Sequence, residues 1–386
     1  MRTHFIAVIA ALLVACGGST GPISRSGGDA IAAGDSYTCA IVNGGVQCWG
    51  YNRYGTLGNN STTNSLVPAQ VYGLMSGATV VASNTGNGTA CAIVNGGGQC
   101  WGYNADGELG NNSTTNSLVP VQVYGLTSGV TAISPGGYHT CAIVHGGVQC
   151  WGANDAGQLG NSTDDGSLVP VQVAGLTSGV TAVAAGYYHT CAVVNGGVQC
   201  WGDNSYGALG NNSTTNSLVP VQVLGLTSGV TAITAGGYDT CAIVNGGVEC
   251  WGENLYGELG SSNTTACQGV SCSPVPVQVT GLTSGATVVS AGYYHTCAVV
   301  DGGVHCWGYN DGQLGNNSTT NSPAPVQVYG LTSGVTDVAA GYEHSCAIVS
   351  GGVQCWGLND VGQLGNNSTA GSSVPVQVYD LTSGVP

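Results

Sequence analysis

Lysine is absent from this 386-residue chain, and arginine occurs three times, at 2, 25 and 53, against 18 aspartates and glutamates. The net charge is −15 with neutral histidines. Nucleic-acid binding neutralises phosphates with Lys and Arg, so that function is excluded. Phosphorylated ligands and polyanionic sugars are disfavoured too, because bidentate Arg recognition is almost unavailable. Acidity on this scale keeps a protein soluble and favours neutral or basic partners. The apolar run at the start, Ile6 to Ala15, covers ten residues and is too short for a lasting membrane-spanning helix. Helical periodicity is missing throughout, and 67 glycines argue against helices. No nucleophile–base arrangement, lipase-type elbow or Glu-rich cleft is found, so no catalytic residue and no cofactor are expected.

What is present begins with a leader. Arg2 supplies a positive start and Ile6 to Ala15 the apolar run of a signal peptide over 1–15. The run ends Leu13-Val14-Ala15-Cys16, which resembles a bacterial lipobox. That resemblance implies a diacylated Cys16 as the first residue of the mature chain, held on a membrane through its lipid. Gly17 after the Cys resembles signals that pass lipoproteins to an outer membrane. An ordinary secretory signal with a free Cys is the alternative. Residues 17–28, G-G-S-T-G-P-I-S-R-S-G-G, make 16–28 a flexible lipidated tether reaching at most about 40 Å. The expected address is extracytoplasmic, at the outer membrane or cell surface.

The rest is repeats. Cys39 to Gly50, C-A-I-V-N-G-G-V-Q-C-W-G, returns at Cys91, Cys141, Cys191, Cys241, Cys297 and Cys346, always closing on Trp-Gly. The seven Trp lie 52, 50, 50, 50, 56 and 49 residues apart. The longer intervals hold Ser83–Gly88 and an insertion around Cys267–Cys272, both between strand-like segments. Within the copy at 182–223, four short strands are read: 182–185, 190–194, 198–202 and 219–223. Four strands per unit at a period near 50 predict an all-β, seven-bladed β-propeller over 29–386. An open solenoid is the alternative, but the first and last units look like the middle ones and not like polar caps.

One copy folds on paper as a hairpin. Asn43-Gly44 suits a two-residue turn with positive φ at both positions. Val42 then faces Gly45, Ile41 faces Val46, and Cys39 faces Cys48 on a non-hydrogen-bonded rung, about 4.5 Å apart at Cα. A disulfide is feasible there. The expected pairs are Cys39 with Cys48, Cys91 with Cys100, Cys141 with Cys150, Cys191 with Cys200, Cys241 with Cys250, Cys297 with Cys306, and Cys346 with Cys355. Cys267 and Cys272 make an eighth, local pair. Buried thiols are one alternative. A zinc site using His139 beside Cys141 is another, but the copies with Tyr37, Thr89 and Asp239 keep their Cys pair without the His, and no metal is expected. Of 17 cysteines, Cys16 alone is left over, and the lipobox accounts for it. So many paired cysteines point to an oxidising compartment.

The units resemble the regulator of chromosome condensation repeat. The matching residues are A-G-Y-Y-H-T-C-A at 185–192, G-G-V-Q-C-W-G at 196–202 and N-D-x-G-Q-L-G at 359–365. The resemblance covers about 29–386 and implies a seven-bladed propeller. The Cys pair departs from the usual family pattern and suits an extracytoplasmic version. The founder's role as an exchange factor on chromatin does not carry over.

The candidate ligand face rests on two neighbouring positions. Two residues before the first hairpin Cys stand Tyr37, Thr89, His139, His189, Asp239, His295 and His344. They suggest a metal or proton-transfer ring, or else hydrogen-bonding blade residues. Tyr138, Tyr188, Tyr238 and Tyr294 precede four of them, with Tyr187, Tyr293 and Tyr342 alongside. These tyrosines offer an aromatic platform at one mouth, or else packing between blades. The residue after Trp-Gly varies, as Tyr51, Tyr103, Ala153, Asp203, Glu253, Tyr309 and Leu358, which suggests exposure. Asn310 with Asp311, or Asn359 with Asp360, offers too few carboxylates for calcium alone. The expected function is a monomeric, non-enzymatic module that binds another protein. A carbohydrate-binding protein or enzyme with a site at the propeller axis is the alternative, and a purely structural surface protein is a third.

Overall fold

The structure, a computed structural model, describes residues 30–386. The signal, Cys16 and the tether lie outside the described residues. Within them are 29 strands and no helix, arranged in seven antiparallel sheets. Blade 1 consists of β1 (Ile31–Ala33), β2 (Tyr37–Val42), β3 (Gly45–Gly50) and β4 (Ser65–Gln70), side by side in that order. Blades 2 to 7 repeat the pattern from inner strands beginning at Ala78, Val130, Val180, Val230, Ala286 and Val335. The fold is a seven-bladed β-propeller.

The hairpin follows from its turn. Asn43 has φ 52° and Gly44 φ 79°, and the register sets Val42 against Gly45, Ile41 against Val46 and Cys39 against Cys48. His145, Asp301 and Ser350 replace the Asn in three blades and hold nearly the same φ, 51–52°. Each of the seven hairpins is bridged, with Cα separations of 4.0–4.1 Å. The insertion forms a further hairpin on blade 5, Thr265–Cys267 against the start of Val270–Gln278, closed by Cys267–Cys272.

The core lies between blades. Between blades 1 and 2, Cys39, Cys48 and Leu57 pack with Val81, Ala90 and Trp101. All seven Trp are fully buried, and each indole N–H donates to a carbonyl of the preceding blade, as Trp101 does to Thr56 at 2.9 Å. The Gly after each Trp is forced: Gly202 has φ 99°, and a Cβ there would lie 2.5 Å from the Tyr188 carbonyl.

Both termini of the described chain close the ring. In blade 2, Asn95 N–H donates to Gly77 O and Ala78 N–H to Gly44 O, locking the start of the inner strand to two hairpin turns. In blade 1 the same places are taken by Gly384 and Val385. Asn43 N–H donates to Gly384 O at 3.0 Å, and Val385 N–H to Gly351 O at 3.1 Å. Val385 joins Ile31, Trp49, Cys346 and Cys355 in one cluster. Blade 1's inner strand is therefore completed from the far end of the sequence.

In six of the seven blades the polar loop wraps around one buried Asn: Asn52, Asn104, Asn154, Asn204, Asn310 and Asn359. Asn310 Oδ1 accepts from Gly312 and Leu314 N–H, and its Nδ2 donates to Asn316 Oδ1, Ser318 O and Thr320 O. Asn359 is engaged in the same way. These side chains are consumed by their own loops, which removes them as calcium ligands.

Candidate functional site

The ring of residues before the hairpin Cys lies under one mouth of the propeller. His139, His189, His295 and His344 are at most 1% exposed. Each Nε2 meets a hydroxyl of the next blade: Thr190 at 2.7 Å, Thr240 at 2.9 Å, Ser345 at 2.8 Å and Thr38 at 2.8 Å. Those hydroxyls already spend their single hydrogen on a carbonyl, as Thr190 does on Gln158 O at 2.9 Å. The imidazoles must therefore donate from Nε2, and burial disfavours their charged form. The four histidines are interblade clasps and do not reach the ligand-accessible surface. Tyr37 plays the same part in blade 1, with its hydroxyl on Thr89 O. In blade 5, Asp239 is buried with Oδ2 unpartnered, and burial drives its carboxyl well above the usual range.

This burial sets a pH dependence. Loss of solvent pulls His139, His295 and His344 down to about 3 and His189 to about 4. Unfolded, they return to about 6.5. Their stability contribution is complete above that pH and is lost as pH falls toward 3, because the unfolded chain binds more protons. Burial acts oppositely on Glu108 and Glu258, raised to about 7. Their contribution is complete below about pH 4.5 and is lost as pH rises to about 7. The two sets oppose each other between those limits, and below about pH 4.5 the histidines dominate over these glutamates. His295→Gln is expected to flatten the acid limb between about pH 3.5 and 4.5 by about 1.4 kcal/mol per pH unit, read by urea unfolding. An unchanged slope would mean that His295 is already charged in the fold.

Above the clasps the tyrosines converge. Tyr187 stands at the centre, with ring centroids 5.2 Å from Tyr138, 4.8 Å from Tyr188, 5.9 Å from Tyr238 and 5.2 Å from Tyr293. Tyr293 continues the cluster to Tyr294 at 4.5 Å and Tyr342 at 4.6 Å. All seven are half-buried. Close backbone approach brings them in: a Cβ on Gly186 would lie 2.8 Å from Gly236 O of the next blade. Main-chain bonds from Gly137 to Gly186 O, Tyr187 to Gly236 O and Tyr342 to Gly34 O tie neighbouring rims. Burial, then neighbouring phenols, raises Tyr187 and Tyr293; burial, then Asp203 and Glu253, raises Tyr238 to about 12.

The structure unites the tyrosines with the variable position after Trp-Gly. Seven equivalent bonds seat that residue beside the one preceding the clasp: Tyr51 N–H on Ser36 O, then Tyr103 on Gly88, Ala153 on Tyr138, Asp203 on Tyr188, Glu253 on Tyr238, Tyr309 on Tyr294 and Leu358 on Glu343. Both sets belong to one mouth. Asp35, Glu343 and Tyr206 join it without having been singled out in the sequence. Burial first, then Glu343 and Asp360, raises the Asp35 carboxyl to about 6. Asp35 and Glu343 occupy the register of Tyr187 and Tyr188, so repeat alignment alone would have found them. The axis is different in kind. It holds a cavity of about 90 Å³ lined by inner strands, with Ala82, Ser134, Ala184, Thr234, Ser290 and Ala339 around it. That is room for about three waters, and not for a sugar ring.

Comparison with known proteins fits this geometry. The RCC1-like domain profile matches residues 100–385, and profiles of the regulator of chromosome condensation (RCC1) repeat match 43–93 and 29–56. The human probable E3 ubiquitin-protein ligase HERC4 is 36% identical over 98 residues, 25% of this chain and 9% of the ligase. The chain thus matches only a small part of that relative. Among solved structures, Prp20p from Saccharomyces cerevisiae superposes with a TM-score of 0.77 at 21% identity, covering 90% of this chain and 88% of Prp20p. Human WBSCR16 gives 0.75 at 23% identity, covering 86% and 93%. At such identities the likeness is one of fold.

Proposed function

The chain belongs to the RCC1-like domain family, and from that premise we propose that it is a non-enzymatic module binding another protein across its tyrosine-lined mouth. The observation that carries this reading is the cluster centred on Tyr187, where seven half-buried phenols share one rim. Tyrosine offers large apolar area at low entropic cost with a hydroxyl at its edge, which is why it concentrates at protein interfaces. Prp20p, of the same fold, has recorded binding properties to Gsp1p and histones, so the propeller can serve that use. The excess of acid on this chain favours a neutral or basic partner.

We place the module outside the cytoplasm, anchored through lipid on Cys16. The lipobox-like Leu13-Val14-Ala15-Cys16 and the paired cysteines support that address. Two experiments test the proposal. With a purified protein ligand, Tyr187→Ser and Tyr293→Ser are each expected to weaken binding at least about tenfold while circular dichroism is unchanged. Binding indifferent to both changes would move the interface elsewhere. Intact mass of protein from its native membrane should show a diacylated Cys16, and Cys16→Ser should release the protein. An uncleaved N-terminus would refute the anchor.

A further inference from the structure

One part of the mouth is unlike the rest. Blade 5 alone carries the inserted hairpin Cys267–Cys272, and this hairpin leans on blade 4: Cys267 Sγ lies 3.6 Å from Tyr206 O. At its tip Gln268 adopts φ 49°. A cavity of about 440 Å³ opens between hairpin and rim, walled by Tyr188, Tyr206, Tyr238, Asp155, Asp203 and Gln268. Tyr206 and Tyr238 meet edge to face at 5.3 Å, and Tyr188 lies 6.4 Å from Tyr238. Asp203 is fixed in place: its N–H is held by Tyr188 O at 2.9 Å, and its Oδ1 accepts the Ser205 hydroxyl at 2.8 Å.

We propose that this cavity receives a lysine or arginine side chain presented by a protein partner, the aromatic walls taking its aliphatic stem and the two aspartates its charge. The inference rests on the protein-binding reading above. Three features select a cation. Aromatic faces attract cations within about 6 Å of the ring centre. Two carboxylates stand in the same wall with no lysine or arginine among the lining residues. The sole Lys or Arg among the described residues, Arg53, lies in blade 1, over the Tyr54 ring at 5.7 Å. The volume lies in the range of pockets that enclose small ligands, about 300–1,000 Å³. A phosphate or carboxylate would meet only like charge there.

The test uses the whole protein and small probes, N-acetyl-lysine methylamide and N-acetyl-arginine methylamide, against the neutral norleucine and citrulline analogues. Titration is followed by tyrosine ring NMR shifts at physiological salt, which screens general attraction. Saturable binding of the charged probes is expected. It should weaken at least tenfold in Asp203→Asn and Tyr206→Ala, and persist in Tyr206→Phe. Asp380→Asn removes the same charge from an exposed site in another blade, and should change it less than twofold. Equal binding of the neutral analogues, or equal loss in Asp380→Asn and Asp203→Asn, would overturn the proposal. The protein-binding reading fails separately. If no probe binds but a protein ligand depends on Tyr187, the cavity inference alone falls. If the probes bind and no protein ligand needs the mouth, the partner as source of the cation falls.

Discussion

Trp201→Ala is expected to lower the unfolding free energy by about 3–5 kcal/mol. The indole is fully buried between blades 3 and 4, in a cluster with Cys141, Cys150, Leu159 and Val183. Gly160 has left room for it: a Cβ there would lie 2.7 Å from the ring. Truncation empties that space, and close-packed β-strands relax into it only partly. Most of the loss should be packing and not polar. Trp201 Nε1 donates to Gln158 O at 2.8 Å, but Thr190 Oγ1 donates to the same carbonyl at 2.9 Å, so the acceptor keeps a partner. Thr190→Val is the informative contrast. It strips that carbonyl of one donor and leaves the His139 N–H without its acceptor, at about 1–3 kcal/mol for an unsatisfied buried group. Urea unfolding of both variants, followed by far-UV circular dichroism, gives the comparison. A Trp201→Ala effect below about 1 kcal/mol would mean that the blades do not depend on this contact.

The same residues show what the sequence could disclose. Asn-Gly between two β-branched runs specified the turn, the turn specified the rung, and the rung put Cys39 opposite Cys48. Each step is local, so each was legible. The Trp at constant phase marked the core for the same reason, because identical blades make identical contacts. The clasping histidines were harder. Their residue type suggests proton chemistry, and only the next blade's hydroxyl, about 50 residues away, shows that the ring nitrogen is already committed. The cavity beside Tyr206 was hidden for a further reason. Its walls come from blades 3, 4 and 5 and from a hairpin that breaks the repeat, so no periodicity could announce it. Ring closure by Gly384 and Val385 was likewise invisible, since it depends on two ends of the described chain meeting in space.

Loss of the hairpin bridges should be the largest perturbation of all. Each joins residues nine apart and closes about ten, a constraint worth about 2–3 kcal/mol per bridge in chain-entropy terms. Their sulfurs lie in the interblade core, and both Cys of each pair are 0% exposed. Reductant must attack a sulfur it can reach, so the native protein should resist reduction until blades separate. Once unfolded and reduced, the chain should refold to a much lower melting temperature, or not at all. Changing one pair, Cys191→Ala with Cys200→Ala, should cost about 2–3 kcal/mol. The Cys267–Cys272 bridge makes a useful control. It closes a hairpin appended to blade 5, outside the four-strand pattern, and its loss should alter the mouth while leaving global unfolding nearly unchanged. Mass spectrometry after alkylation, with and without denaturant, separates these cases. An unchanged melting temperature after full reduction would show that packing alone holds the ring. A large fall would tie folding of this chain to a compartment where thiols oxidise.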